Sequence, residues 1–133
     1  MKKIVIMMLL FVSTNVLAEW TKVSAASVVT IGDFTVYADI QSIRKNGNKV
    51  KMWKLVDFKT VQNIDNVRYL SMLVREEYDC LEETSRRLDG YEYSGNMKNG
   101  DIVTSLPNLI EQSETVIPGS VIETLLKVAC GGK

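Results

Sequence analysis

Apolar and polar residues alternate with period two over most of this chain, and only the last stretch switches to a helical period. In FTVYA, Phe34, Val36 and Ala38 fall on one side of a strand, and Thr35 and Tyr37 on the other. The alternation breaks over residues 40–42, which predicts a bulge or corner. Asn46-Gly47 follows, a pair that tolerates the positive φ angles of a type I′ hairpin turn. Beyond it, residues 49–58 alternate again. Val50, Met52, Val56 and Phe58 share a face that Lys54 interrupts, while Trp53 and Leu55 share the other with Lys49, Lys51 and Asp57. Neither face is fully polar, so the strand is expected to be partly covered on both sides.

Residues 69–80, YLSMLVREEYDC, give the longest predicted strand. Leu70, Met72, Val74, Tyr78 and Cys80 lie in one phase; Tyr69, Ser71, Arg75, Glu77 and Asp79 lie in the other, with Leu73 as the apolar exception. One face on a core and one in water is the usual pattern of an antiparallel sheet. Upstream, residues 20–23 and 28–31 read as short strands with a bend over 24–27. A polar loop is expected over 62–66. Residues 84–93 are less regular, Asn99-Gly100 is a second turn signal, and 102–104 is a short last strand.

Residues 106–118 carry both prolines and no clear period, which predicts a crossing loop. The helix comes after it. Ser120 and Glu123 have capping-box spacing, and Val121, Ile122, Leu125, Leu126 and Ala129 form one apolar stripe. Ile122, Leu126 and Cys130 stand in one column, Lys127 suits the negative helix end, and Gly131 suits the C-cap. A helix of about ten residues is marginal alone in water, so it requires a surface to pack on.

The first residues follow a different rule. Lys2 and Lys3, an unbroken apolar run over 4–12, and a small-residue exit ending at Ala18 predict a secretory signal peptide, residues 1–18, cleaved after Ala18. The apolar run is shorter than the roughly 20 residues a membrane span needs. Residues 19–133 are then expected to form a single domain of 115 residues. It would hold 14 basic and 16 acidic residues, a balance that argues against a nucleic-acid partner. Two cysteines in an exported chain suggest one disulfide, Cys80 to Cys130, with two free thiols as the alternative. A redox pair is usually spaced as C-x-x-C, which these are not.

Chemistry narrows by subtraction. The chain has no histidine, which excludes Ser-His-Asp and Cys-His machinery and histidine metal sites. No catalytic residue, cofactor or metal ligand is assigned. Ser42 and Lys45 match S-x-x-K, but the motif works at a helix start, and its partners S-D-N and K-T-G are missing. A four-residue pattern with two fixed positions recurs freely, so the match is read as chance. Glu76, Glu77, Asp79, Glu82 and Glu83 form an acidic cluster. Strand neighbours point to opposite faces, so they are expected to make a solvated rim that pairs across strands with Lys49, Lys51, Lys54, Arg86 and Arg87. Trp20, Trp53, Tyr37, Tyr69, Tyr78, Tyr91 and Tyr93 are expected in core or cross-strand packing; any exposed together become an interface candidate.

Read together, these fragments resemble the bacterial surface-adhesin protein E family. The resemblance is carried by Tyr37-Ala38-Asp39 with Ser42-Ile43, Met52-Trp53-Lys54-Leu55 with Asp57-Phe58, and Tyr69-Leu70-Ser71. It continues through Tyr78-Asp79-Cys80, Ser85-Arg86, Tyr93-Ser94, Pro118-Gly119-Ser120 and Val128-Ala129-Cys130. It implies an α+β fold: an antiparallel sheet of about six strands with a C-terminal helix on its concave face, fixed there by Cys80 and Cys130. It also implies a non-enzymatic adhesin that contacts host extracellular-matrix or plasma proteins and forms homodimers. The family's namesake is lipid-anchored through a cysteine after its signal peptide, where this chain has Glu19. An exported periplasmic, secreted or cell-surface protein is therefore expected. A soluble periplasmic structural or accessory protein of the same fold is the alternative function.

Overall fold

Tight turns between β-rich runs fold the chain into a meander. The structure, a computed structural model, describes residues 19–106 and 112–131. The expected signal peptide and part of the 106–118 crossing lie outside those residues. Six strands pair in sequence order, all antiparallel: β1 (Trp20–Val28), β2 (Gly32–Asn46), β3 (Lys49–Ile64), β4 (Val67–Asp79), β5 (Thr84–Tyr93) and β6 (Ile102–Leu106). A two-residue strand, β7 (Glu114–Thr115), returns to pair with Ser85 and Thr84 of β5. One helix, α1 (Val121–Ala129), follows.

Three local differences from the sequence reading have clear causes. Of the run expected as a strand at 28–31, residues 29–31 are a turn: β1 runs unbroken through residues 24–27 to Val28, and Val29 at the tip is fully exposed. The expected 62–66 loop is two residues long. β3 continues to Ile64, and Asp65 and Asn66 turn the chain with positive φ angles of 51° and 65°, which short polar side chains tolerate. Within the expected crossing loop, Glu114 and Thr115 pair with β5. The Val116 amide then donates to the Glu83 carbonyl and its side chain enters the core.

The bulge expected at 40–42 is present. β2 carries three extra residues between Asp39 and Arg44, opposite Trp53 and Lys51. Ser42 fills it: its hydroxyl donates to the Asp39 carbonyl at 2.6 Å and accepts the Trp53 amide at 2.9 Å. A second bulge in β5 puts Asp89 and Arg87 opposite consecutive residues of β4. Just past it, Gly90 is obligatory, because a Cβ there would lie 2.5 Å from the Leu73 carbonyl oxygen.

One face of the sheet holds the core. Val36, Ala38, Val50, Met52, Val56, Phe58 and Tyr78 pack there against Leu125, Leu126 and Ala129 of the helix. Tyr69 joins them, edge-on to Phe58, where β3 carries extra residues between Asp57 and Gln62. The helix begins as its sequence dictates, with the Ser120 hydroxyl accepting the Glu123 amide at 3.2 Å. The Glu123 carboxylate reaches back to the Gly119 amide at 3.3 Å, one residue outside the usual capping box. At its other end Cys130 is bonded to Cys80, with Cα atoms 5.9 Å apart. The covalent tie joins the end of β4 to the end of the helix.

Glu92 also stands on the core face, in register with Met72 and Thr104. Burial pushes its carboxyl above the usual range, against the opposing effects of a Thr104 hydrogen bond and the Arg87 charge. Ionised Glu92 therefore works against folding, and that penalty disappears as the pH falls below its folded-state pKa. Glu92→Gln is expected to raise stability at pH 7, with the gain shrinking toward pH 4. Urea midpoints at the two pH values check this, and an equal gain at both contradicts it.

Candidate functional site

The face opposite the helix is built by the other phase of the same strands. Residues directly opposite across a ladder share a face, so Lys22, Tyr37, Leu55, Leu73, Tyr91 and Ser105 form one row across all six strands. The next row holds Trp20, Asp39, Trp53, Arg75 and Asp89. Leu55, at the centre, is fully buried, whereas Tyr37, Trp53, Leu73, Tyr91 and Tyr93 are partly exposed. The result is a continuous aromatic and aliphatic platform with polar neighbours.

Two cations hold its indoles. The Arg75 guanidinium lies 5.7 Å from the Trp53 ring and is itself fixed by Asp89, with Nε–Oδ1 at 2.9 Å and Nη2–Oδ2 at 3.2 Å. The forked pair sets the angle of the guanidinium plane, so the Trp53 surface is presented in a fixed orientation. The Lys98 ammonium lies 5.8 Å from the Trp20 ring. Lys98 comes from the β5–β6 connection, which folds back onto this face. The Ser71 hydroxyl donates to the Gly95 carbonyl at 2.6 Å and accepts the Lys98 amide at 3.1 Å. Asp57 accepts from the Met97 amide at 2.8 Å and from the Asn96 side chain at 3.1 Å.

Ser71 is fully buried, so its loss leaves the Gly95 carbonyl and the Lys98 amide without their partner. Ser71→Ala is expected to cost about 1–3 kcal/mol. A lower urea midpoint and faster amide exchange over residues 95–100 check this; unchanged exchange there contradicts the role of Ser71 in holding the β5–β6 connection.

The aromatics of the sequence reading therefore divide. Trp20, Tyr37, Trp53, Tyr91 and Tyr93 share the helix-free face, while Tyr69 and Tyr78 are core. Burial pushes the Tyr78 hydroxyl well up, helped by Glu76; the Tyr69 hydroxyl is raised by burial and by Glu92, with Arg87 opposing. The acidic cluster is not a solvated rim throughout. Glu76 is buried with Lys54 at 2.6 Å, and Glu77 is buried between Arg86 at 3.1 Å and Lys49 at 3.9 Å. Asp79 accepts the Leu81 and Glu82 amides in the turn after β4. Among the described residues, no three acidic or cysteine groups converge as a metal site requires. Ser42 and Lys45 do not converge either: the recess beside Lys45 is lined by Arg44, Lys49, Lys51 and Glu77. Ser42 is spent on the bulge.

Fold and face together define a small antiparallel-sheet module with one disulfide-fixed helix and one partly exposed, helix-free aromatic face. The chain belongs to the surface-adhesin protein E family, whose model matches residues 20–131. Among solved structures, one of Haemophilus influenzae protein E aligns over 80% of this chain and 85% of that chain, with a TM-score of 0.55 and 11% identity. Protein E from non-typeable Haemophilus influenzae aligns over 89% of this chain and 79% of that chain, with a TM-score of 0.56 and 12% identity. At such identities the likeness is one of fold. No curated protein sequence matches the chain. Among the described residues, no helix is long and apolar enough to cross a membrane.

Proposed function

We propose that this chain is an exported, non-catalytic protein-binding module whose contact surface is the helix-free face. In this reading residues 1–18 are a cleaved signal peptide, residues 19–133 form one domain, and the sheet curls around the helix. The partner is a protein, in the first instance a host extracellular-matrix or plasma protein, and homodimerisation falls within the same reading. The observation that carries the proposal is the Trp53–Arg75–Asp89 arrangement beside the Tyr37–Leu55–Leu73–Tyr91 row. Tryptophan, tyrosine and arginine dominate the energetics of protein interfaces. On this face they are held in fixed positions, so docking loses little side-chain freedom.

The test is binding of the oxidised protein to immobilised host matrix and plasma proteins, with Trp53→Ala alongside. Truncating a central aromatic anchor is expected to cost about 2 kcal/mol or more of binding. Equal binding by Trp53→Ala and the parent protein removes this face from the reading. A second reading, a periplasmic structural or accessory protein of the same fold, is favoured by Glu19, which stands where a lipid-anchoring cysteine would follow the signal peptide. Fractionation separates the two: protein confined to the periplasm, and absent from surface and medium, supports the second.

A further inference from the structure

Among the described residues β1 is an edge strand, hydrogen-bonded to β2 alone. The two edges of the sheet are unequal. At the far side, β6 covers residues 90–93 of β5 and β7 covers Thr84 and Ser85, two short pieces. β1 is nine residues long. A bulge between Lys22 and Ser24 twists its beginning, and residues 24–28 then pair without interruption with residues 36–32 of β2. Natural edges are usually guarded by charge, proline or bulges. In β1 the guards stop at the bulge: Ser24, Ala25, Ala26, Ser27 and Val28 include no charge and no proline. Ser24 to Ser27 carry small side chains, and among the described residues no strand pairs with the outer side of this segment.

A recess of about 320 Å³ opens beside this segment. Ala25, Ala26, Ser27 and Phe34 line it, and Asp33 and Lys59 stand at its polar side, 3.8 Å apart and exposed. The paired charges cancel, so the recess suits an uncharged group and has room for one large apolar side chain.

We propose that residues 24–28 take an extended, uncharged segment of a protein partner as an added strand, with one large apolar side chain of that segment in the recess. The inference rests on the protein-binding reading and names its mode. Strand addition draws affinity from main-chain hydrogen bonds and specificity from alternate side-chain pockets. An added strand also lengthens the helix-free face by one strand, next to the row that begins at Lys22 and Tyr37.

The probe is a displayed library of random twelve-residue peptides, panned on the oxidised protein. Enriched peptides are expected to slow amide exchange over residues 20–28. N-methylation at alternate peptide residues is expected to lower affinity about tenfold, the effect of losing one or two net hydrogen bonds. Ala25→Pro and Ala26→Pro form the matched control. Of two consecutive strand amides, one faces β2 and one faces outward. The proline at the outward position should keep the melting temperature and lose peptide affinity about tenfold. Peptides that instead perturb Trp53 and Tyr91 and tolerate N-methylation overturn the strand addition but leave the proposed function standing. So does failure to enrich any peptide while matrix-protein binding persists. Failure of both kinds of binding overturns both. A dimer joined through β1, which no peptide displaces, also overturns the inference.

Discussion

Breaking the Cys80–Cys130 bond, by reduction or by Cys130→Ser, is expected to lower stability by about 4 kcal/mol. The residues are 50 apart in sequence, and in the chain-entropy picture closing a loop of that size removes about this much freedom from the unfolded chain. For a domain whose whole net stability is typically about 5–15 kcal/mol, that is a large share. The loss should be spatially uneven. α1 has nine residues, too few to persist alone, and its fully buried Leu125 and Ala129 are docked on β-strand residues distant in sequence. Once the tie is cut, the helix is the element that detaches at least cost, exposing the sheet's core face. Urea titration with and without reductant measures the first effect; dye binding and amide exchange in α1 measure the second. An unchanged midpoint after reduction sinks the claim that the tie holds the fold together.

Much of this architecture is legible because its elements obey short-range rules. The FTVYA strand, the residue 40–42 irregularity and the capped helix are each set by neighbouring residues; the reversal expected at Asn46-Gly47 falls one residue later, because Asn46 ends β2 opposite Lys49 and Gly47, with φ 62°, takes the first central position of the turn. The errors occur where local propensity and pairing disagree. Val29, Thr30 and Ile31 have strand-forming side chains, but the β1–β2 register needs a reversal there, so these branched residues sit in a turn. Residues 24–27 have weak strand propensity, yet an edge strand needs little from its side chains once its partner supplies the hydrogen bonds.

The candidate site is half legible. Period two alone places Trp53 and Leu55 together, and Leu73 in phase with Arg75. Register joins those phases: only the ladders show that Tyr37, Leu55, Leu73 and Tyr91 stand in one row. The Asp89 fork and the Lys98 contact with Trp20 link residues with no sequence signature. Phase alone puts Tyr69 on the polar face, yet it lies in the core, because the β3 irregularity opposite it changes what it can reach. The Glu76–Lys54 contact has a visible trace, since Lys54 breaks an otherwise apolar phase. A charged residue in such a position calls for a buried partner, and the cross-strand neighbourhood of β3 and β4 supplies Glu76.

That pair gives the second large prediction. Lys54 is 7% exposed and Glu76 6%, their charged atoms 2.6 Å apart, and the Tyr78 hydroxyl donates to the same carboxylate at 3.1 Å. Glu76→Ala strands two buried donors at once, the Lys54 ammonium and the Tyr78 hydroxyl. Removing one partner of a buried ion pair typically costs about 3–5 kcal/mol, because the other charge stays desolvated and uncompensated. This is the same order as loss of the disulfide and far above the value of an exposed pair such as Lys59–Asp33. The pair need not be a net source of stability, since the desolvation of both charges offsets much of their attraction. The double variant Lys54→Met with Glu76→Leu is accordingly expected to recover most of the loss, leaving chiefly the unpaired Tyr78 hydroxyl. A double-mutant cycle in urea decides it: a strongly destabilised Glu76→Ala beside a near-parental double variant supports the buried-charge account. If the double variant is as unstable as the two single losses added together, the strand pairing at this point depends on the ions themselves, and desolvation of a stranded charge is not what makes Glu76→Ala costly.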